Sequence, residues 1–263
     1  MGVYTLQSKF KLTCIFITLI FTATLFAAIA SITLIPSPKT IISSLKTEEI
    51  IYSLKLSIAT SIISTVIVIA IALPAGYSIA RFDFPGKSIV KIILDLPIAF
   101  PELVLGLCLL VLFGETIVGR ILNAVGIKIV FTKLGIVVAQ VFTALPYATR
   151  ILCSTFESIN PRFELVSRSL GYTEFETFKN VTLPLSKKGI FASTIITFAR
   201  SMGAFGAVLV LAGGTYMKTE TLPITLYLNI SYGNMGMAIT SGIVLIVISF
   251  FAILTFEKME GKI

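Results

Sequence analysis

A six-helix, all-α membrane protein is the fold class this sequence predicts, and three observations carry it. Hydrophobic residues make up 56% of the chain against 13% charged ones, and mean hydropathy is +0.99, an apolar share that only lipid can solvate. The apolar residues gather into six runs of spanning length, at residues 12–35, 54–80, 92–113, 134–155, 190–212 and 237–256. The longest polar, charge-dense stretch, residues 160–185, lies between the fourth and fifth runs. The chain therefore reads as one membrane domain, residues 1–263, with that stretch protruding as a knob.

In order, residues 12–35 follow Lys9 and Lys11 as a signal peptide would. The run is too long for one and shows no clear small-x-small cleavage site, so it reads as a retained helix stopped by Pro36 and Pro38. Residues 39–53 form a mixed polar linker. The second run is long enough to tilt or protrude, with Pro74 and Gly76 bending it near its end. Pro85-Gly86 centres a polar turn over residues 81–91. The third run is interrupted: Asp95, Pro97, Pro101 and Glu102 fall in its first half, and freed carbonyls and carboxylates do not face hydrocarbon. It is expected to face a protein interface or an aqueous path. Residues 114–133 are a loop with room for a short helix. The fourth run contains Pro146 and Arg150, and the fifth carries Arg200-Ser201-Met202-Gly203 and Gly206 in its middle. A second loop, residues 213–234, has a half-inserted helix at 224–230, and a short charged tail closes the chain.

The knob has its own punctuation. Asn160-Pro161 is an N-cap followed by proline in the first turn, where a missing N–H costs nothing. Glu164 suits the positive end of the helix dipole. Leu165, Ser169 and Leu170 keep one side small or apolar, with Arg162, Glu164 and Arg168 facing elsewhere. Gly171 stops the helix in a left-handed turn. Thr173 and Glu176 form a capping box for a second helix, which Leu183-Pro184 ends. The pattern is a handle for a soluble partner.

Charge and composition exclude other classes. The net charge is +8, but no basic tract with interleaved aromatics appears, so the cations read as loops against anionic headgroups and not as a nucleic-acid surface. The segments on the side of the termini are richer in Lys and Arg than the opposite loops, and the knob region alone supplies Arg162, Arg168, Lys179, Lys187 and Lys188. Both termini and the knob are expected in the cytoplasm. Histidine is absent, which removes the commonest general base and zinc ligand. Cys14, Cys108 and Cys153 lie far apart within apolar runs and read as small hydrophobes. Gly114 to Arg120 imitates a phosphate loop but lacks its lysine, so ATP, if used, belongs to another chain.

Glu164-Leu-Val-Ser-Arg-Ser-Leu-Gly171, followed by Val181-Thr-Leu183-Pro184, resembles the cytoplasmic EAA loop of ABC importer permeases. Val166 and Ser167 replace its two alanines and Val181 its isoleucine. LPIAFPELVLGL, GETIVGRILNAVGI, ALPYATRI, FARSMGAFGAV and TETLPITLY are similar to the molybdate, tungstate and sulfate branch, so the resemblance runs from about residue 50 onward. It implies a type I permease fold, a homodimer with a second copy, two ATPase subunits on the knobs, and an external oxyanion-binding protein. It implies no cofactor on this chain, with ATP and Mg on the partner ATPase, and a plasma-membrane location. The expected cargo is molybdate or tungstate, with sulfate as the alternative.

The resemblance also implies coupling residues Pro161, Glu164, Ser167, Arg168, Leu170 and Gly171, the acid docking to a basic residue of the ATPase and the glycine supplying its turn. The implied pathway or gate comprises Pro97, Pro101, Glu102, Arg200, Ser201, Gly203, Phe205 and Gly206. Two positions depart from the branch: Ala204 stands where an acid is frequent, and Glu102 where a second proline is. Either Glu102 faces Arg200 across the interior, or it is wetted by an outer vestibule. Arg150 is expected near the cytoplasmic interface and Arg200 in a pair, while Gly203 and Gly206 suit close packing or a narrow path. A membrane-embedded enzyme would have only Asp95 and Glu102 to work with. A channel or secondary transporter would explain the broken third run but not the knob.

Overall fold

The computed structural model describes residues 2–34 and 37–260, and every regular element among them is helical. The first helices are α1 (Gly2–Leu34), α2 (Pro38–Leu45), α3 (Glu48–Arg81), α4 (Lys87–Ala99), α5 (Glu102–Gly114), α6 (Ile117–Ala124) and α7 (Lys133–Ser158). The knob holds α8 (Arg162–Ser169), α9 (Glu174–Thr177), a π-helical turn (Phe178–Thr182) and α10 (Leu183–Leu185). The chain closes with α11 (Lys187–Met202), α12 (Gly206–Ala212), α13 (Leu222–Ser231) and α14 (Met235–Glu260). The expected stop at Pro36 and the last residues of the tail, 261–263, lie outside the described residues.

Several boundaries differ from expectation for identifiable reasons. The linker at 39–53 is α2 plus the first turn of α3, because Ser37 and Thr47 each cap a helix start. Pro38 begins α2, where its missing N–H is harmless. Helix α3 runs unbroken through Pro74. Leu183-Pro184 does not end the knob helix. The Leu183 N–H reaches back to the Phe178 carbonyl, and Pro184 then falls at the start of the next segment, where it removes no needed donor. Ser186, whose N–H donates to the Thr182 carbonyl at 2.9 Å, carries the chain on into α11.

The core is the packing of α3 on α7, with α11 laid across both. A stripe of small hydroxyl residues on α3, Ser53, Ser57, Ser61 and Ser64, is wholly buried. Small side chains let helix backbones approach closely in lipid. Gly76 does the same lower down, since a Cβ there would stand 3.0 Å from the Leu152 Cβ. At the margin, the apolar stretch of α1 is unburied and lies beside α14.

Two spans are broken. α4 and α5 meet at 117° and α11 and α12 at 58°. Pro101, extended at φ −59° and ψ 142°, separates the first pair. Gly203 caps α11, and Phe205 at φ −123° and ψ −65° opens α12. The third apolar run thus turns well past a right angle instead of crossing as one interrupted helix. Among the described residues four helices are long and apolar enough to cross alone, and six spans result if each bent pair counts as one.

Candidate functional site

The knob is fastened to the bundle through one buried ion pair. Asn160 Oδ1 accepts the Arg162 N–H at 3.0 Å, opening α8. One turn on, Glu164 points inward to Arg81, the last residue of α3, whose Nε donates to Oε1 at 3.0 Å and Oε2 at 3.1 Å. The same guanidinium donates through Nη2 to the Ile159 carbonyl at 2.8 Å, just after α7. Thr182 Oγ1 donates to Glu164 Oε1 at 2.8 Å from the π turn. Ser167 and Thr177 share a buried hydrogen bond of 3.0 Å. Beneath the ion pair, the Tyr77 ring meets Phe82, Phe156 and Phe178 edge-on.

The turn between α8 and α9 needs glycine: Gly171 has φ +95°, a region that β-carbon-bearing residues avoid. The capping box forms, with the Thr173 N–H donating to Glu176 Oε2 at 2.8 Å and the Glu176 N–H to Thr173 Oγ1 at 3.2 Å. The hydrogen bonds from the Thr173 backbone and hydroxyl hold the Glu176 carboxyl below its ordinary range. Arg168 pairs with Glu174 across the turn at 3.2 Å.

As a result α8 is inside out. Glu164 and Ser167 face the protein, while Leu165 is 60% exposed, Leu170 74% and, on α9, Phe175 73%. Within this chain the Glu164 carboxylate is engaged by Arg81 and Thr182, and the apolar side of α8 is left outward.

The second constellation joins the two breaks. Glu102, in the first turn of α5, accepts from Arg200 Nη2 at 3.3 Å through Oε1. Its Oε2 accepts the N–H groups of Phe205 and Gly206, both at 3.2 Å, at the opening of α12. Glu102 is paired with Arg200, and at the start of α5 it also leaves 31% of its side chain exposed. Arg200 also lies over the Tyr147 ring, 4.5 Å from its centroid. Gly206 lets α12 approach this carboxylate, since a Cβ there would be 3.0 Å from the Glu102 Cβ. One turn deeper, a Cβ on Gly106 would come within 2.8 Å of the Val210 Cβ. Gly203 has no such tight neighbour. Phe205 packs on Tyr227 at 5.1 Å, Pro97 lies within α4, and Pro101 occupies the break. The Ser201 carbonyl, which accepts the Ala204 N–H at 3.3 Å at the end of α11, also accepts from Gln140 Nε2 at 3.0 Å, and Gln140 Oε1 accepts from Ser64 at 2.9 Å.

Arg81, Thr182 and Gln140 escaped the sequence reading. A glutamine alone in an apolar run was the available signal for the last, because a buried amide implies polar partners. Arg150 pairs with Asp95 at 3.5 Å. Among the described residues no cluster of three or more His, Cys, Asp or Glu could hold a metal.

Apolar helices with two broken, cross-linked spans and a braced polar knob define the membrane-embedded subunit of a transporter. Residues 72–260 match the family described as "Binding-protein-dependent transport system inner membrane component". The chain belongs to that family. It is 33% identical over 225 residues to the molybdate/tungstate transport system permease protein WtpB of Methanocaldococcus jannaschii, covering 84% of this chain and 87% of that one. It is 27% identical over 215 residues to the sulfate transport system permease protein CysT of Salmonella typhimurium, covering 81% and 78%. The fold is shared with a chain of a bacterial alginate ABC transporter solved with its alginate pentasaccharide-bound periplasmic protein, at a TM-score of 0.74, 18% identity, and 97% and 93% coverage. It is the type I ABC importer permease fold.

Proposed function

We propose that this chain is the permease of an ATP-driven importer that brings molybdate or tungstate into the cytoplasm. It works as a homodimer with two ATPase subunits and an external oxyanion-binding protein. ATP and Mg are bound by the ATPase, and the knob and both termini are cytoplasmic. The observation that carries this reading is the inside-out α8, an apolar surface held away from the bundle by a buried ion pair. Such a surface has the form of a part gripped by another protein.

Closure of the ATPases draws the two knobs together. Pro161, Ser167, Arg168, Leu170 and Gly171 give α8 its start, its hold on α9, its outward contact and its turn. Glu164 passes the displacement through Arg81 to the end of α3 and, by way of the Ile159 carbonyl, to the end of α7. The breaks at Pro97, Pro101, Glu102, Arg200, Ser201, Gly203, Phe205 and Gly206 then realign to open the path.

The choice of cargo is supported by a longer match to the molybdate/tungstate permease, 33% identical over 225 residues, than to either of two sulfate permeases, 27% identical over 215 and 34% over 173. Sulfate is the second reading, favoured by the likeness to the sulfate permease over most of the chain. Uptake of labelled molybdate by vesicles holding the whole complex decides between them. Excess tungstate is expected to abolish uptake and excess sulfate to leave it. Equal competition by sulfate overturns the choice of cargo, and uptake without ATP overturns the importer.

A further inference from the structure

Between α7 and α11, next to the knob, lies a groove of about 520 Å³ lined by Arg150, Ser154, Thr155, Ser158, Lys188 and Gly189 among others. It exists because Gly189 has no side chain: a Cβ there would collide with Thr155, so only glycine lets α11 sit this close to α7. Arg150, Ser154 and Ser158 follow one another at intervals of four and share a face of α7. Lys188 stands on the opposite wall. Two of the three hydroxyls are engaged within α7, Thr155 donating to the Ile151 carbonyl and Ser158 to the Thr155 carbonyl, both at 2.7 Å. Ser154 is exposed and lines both the groove and the pocket beside it.

The charged residues lining the groove are cations, while Asp95 and Glu157 line the adjoining pocket that shares Arg150 and Ser154. Asp95 reaches Arg150 from α4, on the other side, at 3.5 Å, and 67% of the Arg150 side chain remains exposed. Arg150 lies eight residues before the end of α7, which is about 12 Å along the axis. A guanidinium left this exposed by its own chain on a spanning helix points to water or an ion pathway. A guanidinium fork, an ammonium and a hydroxyl form a donor set for a small tetrahedral oxyanion. A groove this shallow keeps such a contact weak.

We propose that this groove is a low-affinity relay site for a tetrahedral oxyanion, taken from the bundle by Arg150 and passed along Ser154 and Lys188 to the knob side. This rests on the reading of the chain as an oxyanion permease.

The test places a thiol in the groove by Ser154→Cys, with Cys14, Cys108 and Cys153 changed to Ser, in the full complex in nanodiscs. Modification by a sulfonate-bearing thiosulfonate is compared with that by a trimethylammonium-bearing one. A two-cation groove should favour the anionic reagent about tenfold, and Lys188→Gln or Arg150→Gln should bring the ratio towards one. Free sulfate or tungstate should slow the anionic reagent, with chloride at matched ionic strength without effect. Slowing only by anionic phospholipid in the disc, and not by free oxyanion, assigns the groove to a headgroup and overturns the relay. A thiol unreactive even to a neutral reagent assigns it to contact with another subunit and also overturns it. A complex that is protected by oxyanions yet imports none keeps the groove and sinks the assigned function. Import without protection does the reverse. Ser158→Cys repeats the measurement should the first variant fail to assemble.

Discussion

Removing either half of the Arg81–Glu164 pair should loosen the knob without loosening the bundle. Both side chains are largely buried, at 9% and 12% exposure, beside an open cleft of about 300 Å³, so water relieves only part of the loss in Arg81→Gln or Glu164→Gln. Deleting one partner of a buried ion pair costs about 3–5 kcal/mol, because the remaining charge is stranded. The groups that remain temper this: Arg81 keeps the Ile159 carbonyl and Glu164 keeps Thr182, which places the expected loss near the lower end. About 3 kcal/mol raises the population of the detached knob roughly a hundredfold. Hydrogen exchange on the complex in nanodiscs reads this directly, as lost protection over residues 162–182 with α3 and α7 unchanged. The double variant should lose clearly less than the sum of the two single ones, with a coupling energy of about 2 kcal/mol or more. Additive losses, or protection unchanged in Glu164→Gln, would show that the pair is not what holds the knob.

Gly171→Val places a branched side chain at φ +95°, a strain of about 1–2 kcal/mol. ATP hydrolysis should continue while uptake per ATP falls, and Gly171→Asn, which tolerates the left-handed region, should retain most transport. Unchanged uptake by the valine variant in vesicles rules out a role for the turn. Glu220, in the loop before α13, is 1% exposed, and burial, reinforced by the charge of Glu49, raises its pKa. The folded state therefore holds this proton more tightly than the unfolded one. Its stabilising share is complete below the ordinary carboxylate pKa and is lost as pH rises through the raised one. Thermal inactivation of the purified complex should begin at lower temperature with rising pH in that window, and Glu220→Gln should flatten the trend. A trend unaltered by Glu220→Gln assigns it to another group.

The knob was legible because its signals are local. The cap at Asn160, the left-handed Gly171 and the capping box at Thr173 are each fixed by a few neighbouring residues. The interruption of the third run was equally legible, since prolines and acids have no place in hydrocarbon. Which way α8 faces was not. Its polar and apolar sides are both present in the sequence, and only Arg81, far off along the chain, decides that Glu164 turns in. Pro184 misled because a proline usually ends a helix, whereas the π turn before it absorbs the missing donor. The angles at the two breaks were out of reach for a related reason. They depend on α5 meeting α12 at Gly106 and Gly206, contacts about a hundred residues apart.

The Glu102 carboxylate has a mechanical consequence. One of its oxygens is tied to Arg200 before the second break, and the other to the backbone of Phe205 and Gly206 at the start of α12. It belongs itself to the residue just beyond the first break. Flexing at either joint strains or breaks these three hydrogen bonds, which favours the two hinges moving together.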